Sequence, residues 1–399
     1  MNKSYKTIWN EALGAWVAAS ELDRAKGKGG AVVMRAGRGR ASLNAAGSAM
    51  TLIASAIALL GTVAPEQAHA QYNIGPSSVA TAGNAVAVGI STTASAVNAS
   101  AFGDFVTASG TSSVAVGAFS VSSGNFSVAI GNSAVANQSG AVAMGSGANA
   151  TGVSSTAIAN GANAAGQQSA AYGYVSNASG AFSTALGNQA TASNTSAMAL
   201  GNQSTSSGAA ALAVGSGALA NGSSSIAMGV NSGASGSAAI AIGWGGTAGV
   251  PGSGTQAIGD NSLAIGSKTT ASGIYSAALG QLATASGTSS MAFGVQSTAS
   301  AQFGVALGNL AQATGTSSVA LGAGSTSSNS GTVAIGINSA ATSGSSVAIG
   351  AAALSSNSTA VALGASATAS ATNSTALGVL ATASGGFGVA VGNASVASQ

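Results

Sequence analysis

The sequence predicts an all-β solenoid of short stacked coils, and three observations carry that prediction. First, a pentapeptide returns at a fixed interval. Ser113-Val114-Ala115-Val116-Gly117 is followed fourteen residues later by Ser127-Val128-Ala129-Ile130-Gly131 and after fourteen more by Ala141-Val142-Ala143-Met144-Gly145. The closing glycine keeps this spacing from Gly89 to Gly243 and again from Gly266 to Gly392; with an irregular unit ending at Gly259, there are 23 copies. A period this short calls for a stack in which each unit rests on the next. Second, the copies alternate a largely apolar or β-branched residue, an alanine and a larger apolar residue, the period-2 pattern of a strand. Third, glycine recurs in every unit, among abundant Ser, Thr and Val, a composition that disfavours helix.

Each part of the unit has a physical assignment. The bulky pair, such as Val86 and Val88 or Val128 and Ile130, should face one side of a strand and the intervening alanine the other. The closing glycine, replaced only by Ala159, should mark a backbone corner with positive φ or a close approach to the next coil. The second half of the unit, typified by Ala283-Thr284-Ala285-Ser286-Gly287, supplies a second short strand and turn. Coils of this kind stack about 4.8 Å apart, so some twenty of them make a rod on the order of 100 Å long. A coil this thin buries little apolar area. The uniform alanine face is therefore expected to pack against other chains, which predicts an obligate oligomer.

The charge is unevenly placed. The net charge is +3, but eight of the nine basic residues precede residue 70, and the rest of the chain carries only Lys268, Asp104 and Asp260. Nothing basic is left downstream to neutralise phosphates, which excludes nucleic acid as a partner. The first 70 residues read as export apparatus. A basic stretch at Arg35, Arg38 and Arg40 precedes an apolar run from Ala49 to Ala64, and Ala68-His69-Ala70 supplies the small-x-small pattern before Gln71. That is a secretory signal peptide over 31–70, with cleavage expected after Ala70. Ahead of it, in residues 1–30, Ile8, Trp9, Ala12, Leu13, Trp16 and Val17 fall at helical spacing and predict a short amphipathic helix at the inner membrane surface.

The order Met1-Asn2-Lys3-Ser4-Tyr5-Lys6-Thr7-Ile8-Trp9-Asn10, then Gly14-Ala15-Trp16-Val17-Ala18-Ala19-Ser20-Glu21-Leu22 and Gly27-Lys28-Gly29, resembles the extended signal peptide region of large Gram-negative autotransporters. Together with head repeats of the form Ser/Asn-Val-Ala-Ile/Leu-Gly, the chain resembles the YadA-like trimeric autotransporter adhesins over nearly its whole length. The resemblance implies a left-handed parallel β-roll, a homotrimeric head and display on the outer membrane of a Gram-negative bacterium. It also implies collagen or other extracellular-matrix proteins as partners; Asn261-Ser262-Leu263-Ala264-Ile265-Gly266 is the copy nearest the collagen-associated form. Family members end in a coiled-coil stalk and a membrane anchor, whereas Val391 to Gln399 still read as repeat. The sequence is therefore expected to be a piece of a longer chain, with membrane attachment only through an anchor outside it.

The domain reading that follows is a lead-in over 71–85, head repeats over 86–243 and 263–399, and an irregular repeat with a surface loop over 244–262. The loop, Trp244 to Gly254, holds the only tryptophan after residue 70, and Asp260, Asn261 and Lys268 follow it closely. These four residues are the candidate contact site, set against a tolerated insertion with Trp244 folded over the roll. Catalysis finds no footing. His69, the only histidine, leaves with the signal peptide and no cysteine is present, so a serine nucleophile has no base, and metal and cofactor sites lack ligands. Calcium-binding rolls need an aspartate in each turn, and this stretch has Asp104 and Asp260 alone. What remains is adhesion by many weak repeated contacts, including self-association between cells. The competing readings are a passive spacer and, more distantly, an ice- or mineral-binding face. The last needs Thr in register, and the third residue after the glycine varies among Ser120, Ala134, Thr269 and Val106.

Overall fold

A computed structural model of the chain describes Tyr5–Asn10, Ala15–Ser20 and residues 71–247 and 250–399. The chain divides into two units, Met1–Glu66 and Gln67–Gln399. In the first unit, Tyr5–Asn10 and Ala15–Ser20 pair as antiparallel strands, with Trp9 opposite Trp16. This corrects the amphipathic helix expected there: Thr7, Ile8, Trp16 and Val17 are β-favouring residues, and the hairpin pairing satisfies their backbone. The apolar run and the cleavage motif Ala68-His69-Ala70 lie outside the described residues. Among the described residues, no helix is long and apolar enough to cross a membrane.

The second unit is the β-roll. Among the described residues it contains 23 three-residue strands and 23 two-residue strands, alternating along the chain. Each pairs in parallel with its counterparts one coil before and one coil after, as in Val128↔Val142, Ala129↔Ala143 and Ile130↔Met144. The two-residue strands form the second ladder, as in Val121↔Val135 and Ser122↔Ala136. The first coil starts at Tyr72–Ile74, which pairs with Val86–Val88, so the stretch ahead of Val86 already belongs to both sheets.

The alternation along each strand is as expected, but the faces are reversed. The alanines point into the roll and not toward other chains: Ala87, Ala101, Ala129, Ala143 and their equivalents are fully buried, and the flanking large residues face out. The reason is volume. A coil with three residues on one side and two on the other leaves an interior only wide enough for methyl and hydroxymethyl groups. In the coil opened by Val128 four such groups fill the interior, Ala129, Ala134, Ala136 and Ala141. Among the described residues of the roll the largest fully buried side chains are one valine, Val106, and four threonines.

The two glycines of the unit do different work. The closing glycine turns the chain with φ between 112° and 156°, and at Gly89 an added Cβ would also lie 1.9 Å from the Gly103 carbonyl oxygen. The glycine seven residues later has no positive φ. At Gly110 a Cβ would sit 1.9 Å from the Gly124 carbonyl oxygen, so close stacking of the corners is what it serves. The ladder runs unbroken through the corners: the Gly117 N–H donates to the Phe102 carbonyl at 2.9 Å and the Phe119 N–H to the Asp104 carbonyl at 3.0 Å.

The irregular unit is also corrected. Gln256–Ala257 is the second strand of the coil opened by Ile240–Ile242, paired with Gly233–Ala234 and Thr270–Ala271, and Gly259 closes no separate copy. In a regular coil the second strand starts four residues after the closing glycine, as Thr93 does after Gly89; here Gln256 stands thirteen after Gly243. Nine residues are therefore inserted in one corner, and the pairing of both sheets passes across them undisturbed.

Candidate interaction surfaces

The coil geometry gives the roll four longitudinal surfaces, each written by one or two positions of the repeat. The outer face of the three-residue sheet carries two rows of half-exposed apolar side chains. Val128, Val142, Val305, Val319 and Val333 stand in one row, and Ile130, Met144, Leu307, Leu321 and Ile335 in the other. Leu186 keeps 49% of its surface exposed and Met144 40%. A soluble single chain rarely leaves an apolar face this long open to water.

The outer face of the two-residue sheet is mostly polar, with Val121, Val135, Leu219 and Leu354 among its exceptions. Asn149, Asn163 and Asn177 form a ladder, the Nδ2 of each donating to the Oδ1 of the next at 3.2 and 2.9 Å. Thr270, Thr284 and Thr298 stand in register on successive strands. The position used to judge threonine registry from the sequence, occupied by Ser120, Ala134, Thr269 and Val106, lies inside the roll and is fully buried. The outward position is the next residue. Its threonine row is interrupted by Gln312, Ala340 and Leu354.

The remaining two surfaces are the edges, where the corners stack. Each edge places one residue per coil in the left-handed region, at φ of about 50–60°. Ser, Asn, Gln and Gly fill most of these positions; glycine meets no Cβ penalty there and asparagine tolerates the region better than most residues. Phenylalanine fills six of them, Phe105, Phe119, Phe126, Phe182, Phe303 and Phe387, all exposed. Phe105 and Phe119, one coil apart on one edge, stack in parallel with ring centroids 5.3 Å apart.

The four candidate contact residues divide between the edges. Trp244 and Lys268 sit together at the edge that follows the three-residue strand, where the Lys268 N–H donates to the Trp244 carbonyl at 3.1 Å and Trp244 is 67% exposed. Asp260 and Asn261 belong to the opposite edge. There Asp260 Oδ1 accepts from the Ser237 N–H of the preceding coil at 2.8 Å, as Asp104 Oδ1 accepts from the Ile90 N–H at 3.1 Å on the other edge. The four do not form one cluster. The inserted loop folds back over the preceding coils. The Gly252 N–H donates to the Gly217 carbonyl at 3.1 Å, and the nearly buried Asn231 donates through Nδ2 to the Thr247 carbonyl at 3.2 Å. Ser253 Oγ accepts from the Thr247 N–H at 2.9 Å and donates to the Val250 carbonyl at 2.7 Å, closing the loop on itself. Gln71, on the mature side of the expected cleavage point, is exposed. Sequence reasoning missed the outward apolar rows. Their signal was the variation in size from copy to copy, which no tight interior allows. Among the described residues, no group of three or more His, Cys, Asp or Glu is placed to hold a metal ion.

Two family profiles match the chain. Residues 1–55 match the extended signal peptide of type V secretion systems. The YadA head domain repeat matches in overlapping copies from residues 74–89 to residues 369–395, covering more than half of the sequence. The chain belongs to the YadA-like trimeric autotransporter adhesins. No curated protein matches it. Membership makes this YadA-like chain an exported, type V secreted surface protein of a Gram-negative bacterium, built on a repetitive β-roll head. The family is in general non-enzymatic.

Proposed function

We propose that this YadA-like head is a surface adhesin without enzymatic activity, cleaved from its leader after Ala70 and assembled as a homotrimer. It attaches cells to extracellular matrix, collagen among the candidates, and to one another. The observation that carries the reading is the outer face of the three-residue sheet. Two rows of half-exposed side chains run from coil to coil with no charge among them; the second is apolar or aromatic throughout, and the first is mostly Val, Ile, Leu and Met, interrupted by Ser100, Thr156, Ala170, Thr184, Ala277 and Thr375. At about 25 cal/mol per Å² of apolar surface removed from water, covering such a face with a second copy gives the stabilisation that a core of methyl groups withholds. The polar second sheet and the edges then face outward and repeat the same weak contact on every coil, so that affinity arises by multivalency. Asp260 and Lys268, with Trp244 and Asn261, remain the candidate local contacts, acting as two separate spots on opposite edges.

The test is sedimentation of the mature chain, 71–399, fused to a trimerising stalk, followed by binding to surfaces coated with matrix proteins and an autoagglutination assay on cells displaying it. A β-rich trimer that binds or agglutinates supports adhesion; a β-rich trimer inert in both assays supports a spacer. The near identity of successive coils favours that second reading. An ice-binding face ranks last because the outward threonines never run beyond three coils.

A further inference from the structure

Eleven large apolar residues occupy left-handed corner positions, and they are not scattered. On three coils the corner after the three-residue strand and the corner seven residues later are both apolar: Phe119 with Phe126, Val175 with Phe182, and Leu380 with Phe387. At two more places the aromatic comes first, Tyr275 before Leu282 and Phe303 before Leu310, again seven apart. Only Phe105 lacks such a mate, and it stacks on Phe119. Placed independently, most would stand alone.

Residues seven apart sit on opposite edges of the roll, with one sheet strand between them, and differ in height by half a coil, about 2.4 Å. They do not meet within one chain; among the described residues the only ring contact is the same-edge pair Phe105–Phe119. Each is exposed, from 41% at Leu282 to 78% at Phe387. Each also holds a backbone conformation that a bulky side chain disfavours. Something outside the chain must reward them together.

We propose that the occupant is a second copy of this chain. The first edge of one copy lies beside the second edge of the next around the assembly axis, and the five pairs meet there and fix the axial register. The inference rests on the reading above that copies pack side by side through the three-residue sheet. It explains what that sheet cannot. Most positions of the outward rows are interchangeable Val, Ile, Leu or Met, so sliding one chain by a coil re-forms much of that contact, and a repetitive pairing specifies register weakly. The five pairs are unevenly spaced along the roll, so any such slip separates most of them.

The test uses the cysteine-free sequence. In the purified mature chain, 71–399, fused to the same trimerising stalk, Leu380→Cys combined with Phe387→Cys should be closed by a short bifunctional thiol reagent into covalently linked trimers on denaturing gels. Each single variant, and the out-of-register pair Leu380→Cys with Phe303→Cys, should not. As a second measurement, Leu380→Ser and Phe387→Ser should each lower the melting temperature of the assembly. Together they should lower it by less than the sum of their separate effects, whereas Leu380→Ser with Phe303→Ser should be additive. A trimer by sedimentation that shows neither the matched cross-link nor the coupling overturns this inference and leaves side-by-side packing intact. Equal cross-linking of the matched and out-of-register pairs also overturns it. A monomer by sedimentation overturns both readings.

Discussion

Replacing Ala143 by valine puts the inward assignment of the alanines to a direct test. Ala143 lies in the sixth of the 23 coils, fully buried, with Ala129 and Ala157 directly opposite it on the adjacent strands. Both neighbours are also alanines at zero exposure, and the coil's other inward groups, Ala148, Ala150 and Ser155, leave no slack. Valine adds two methyl groups to an interior that has no side chain able to move aside. Overpacking of this kind costs about 1–3 kcal/mol at one site. Valine at 129, 143 and 157 together crowds three successive coils and should cost roughly three times that if the sites act independently, less if one distortion serves all three. The outward neighbour gives the contrast. Val142→Ala removes two methyl groups that are only half buried, a loss of about 1 kcal/mol by area. Urea denaturation followed by circular dichroism measures both, at protein concentrations low and high enough to separate subunit dissociation from unfolding. Ala143→Val should lower the midpoint equally at all concentrations. Val142→Asn, by contrast, should make the midpoint concentration-dependent or abolish the oligomer while leaving strand content. If Ala143→Val instead dissociates subunits and spares the fold, or has no effect, the alanines are not the interior and the reasoning fails.

The same tight packing bears on four other substitutions or deletions. Ala159 keeps φ at 119°, where every equivalent residue is glycine, so Ala159→Gly should stabilise the roll by about 1 kcal/mol, read as a raised thermal midpoint. The hydroxyls of Ser155, Ser169 and Ser183 are buried without a hydrogen-bond partner, and their replacement by alanine should be neutral or stabilising by up to about 1–3 kcal/mol; a clear loss of stability would mean the hydroxyls are satisfied in solution. Gly110→Ala should destabilise strongly despite its ordinary φ, because the Cβ meets the Gly124 carbonyl; a neutral result in the same denaturation assay would show the corners to be looser than drawn. Deleting residues 245–253 brings Gly254 to the left-handed corner and Thr255 to the inward position, restoring a fourteen-residue coil. Strand content by circular dichroism should be retained, and any loss of matrix binding then assigns that binding to the loop or its edge.

The architecture was legible because a strict period leaves few ways to bury it. Fourteen residues with two turn positions, Gly89 and its fellows above all, admit two short strands and little else. What the pattern did not reveal was the direction of its faces. Period-2 alternation places Val142 and Met144 opposite Ala143 but does not say which side is inside; the habit of burying the larger residue argues for the wrong one. Only the width of the coil decides it, and width depends on how few residues make each strand. The Trp244 site was half legible. Its neighbour Lys268 joins it across one coil, whereas Asp260 and Asn261, nearer in sequence, are carried to the other edge by the intervening strand Gln256–Ala257.

Variation among the copies therefore maps onto the surfaces of the roll. The residue two before the closing glycine is alanine in every coil except the first, where Asn73 stands exposed at the end of the stack. The residue one before it ranges over Val88, Phe102, Met144, Tyr172 and Leu186, all on the outer face of the same sheet. Inside, one volume limit applies to every coil, and a single misfit disturbs both neighbours because the ladder is continuous. Outside, each coil is free to differ. An adhesive or self-associating specificity in this chain must then be encoded in the outward rows and at the corners, since those are the positions a substitution can change without altering the stack. The corner residues carry the clearer signal of the two. A polar residue would occupy the left-handed region at lower cost, so Phe182 or Phe387 in that conformation gains nothing from the isolated chain and needs a contact beyond it.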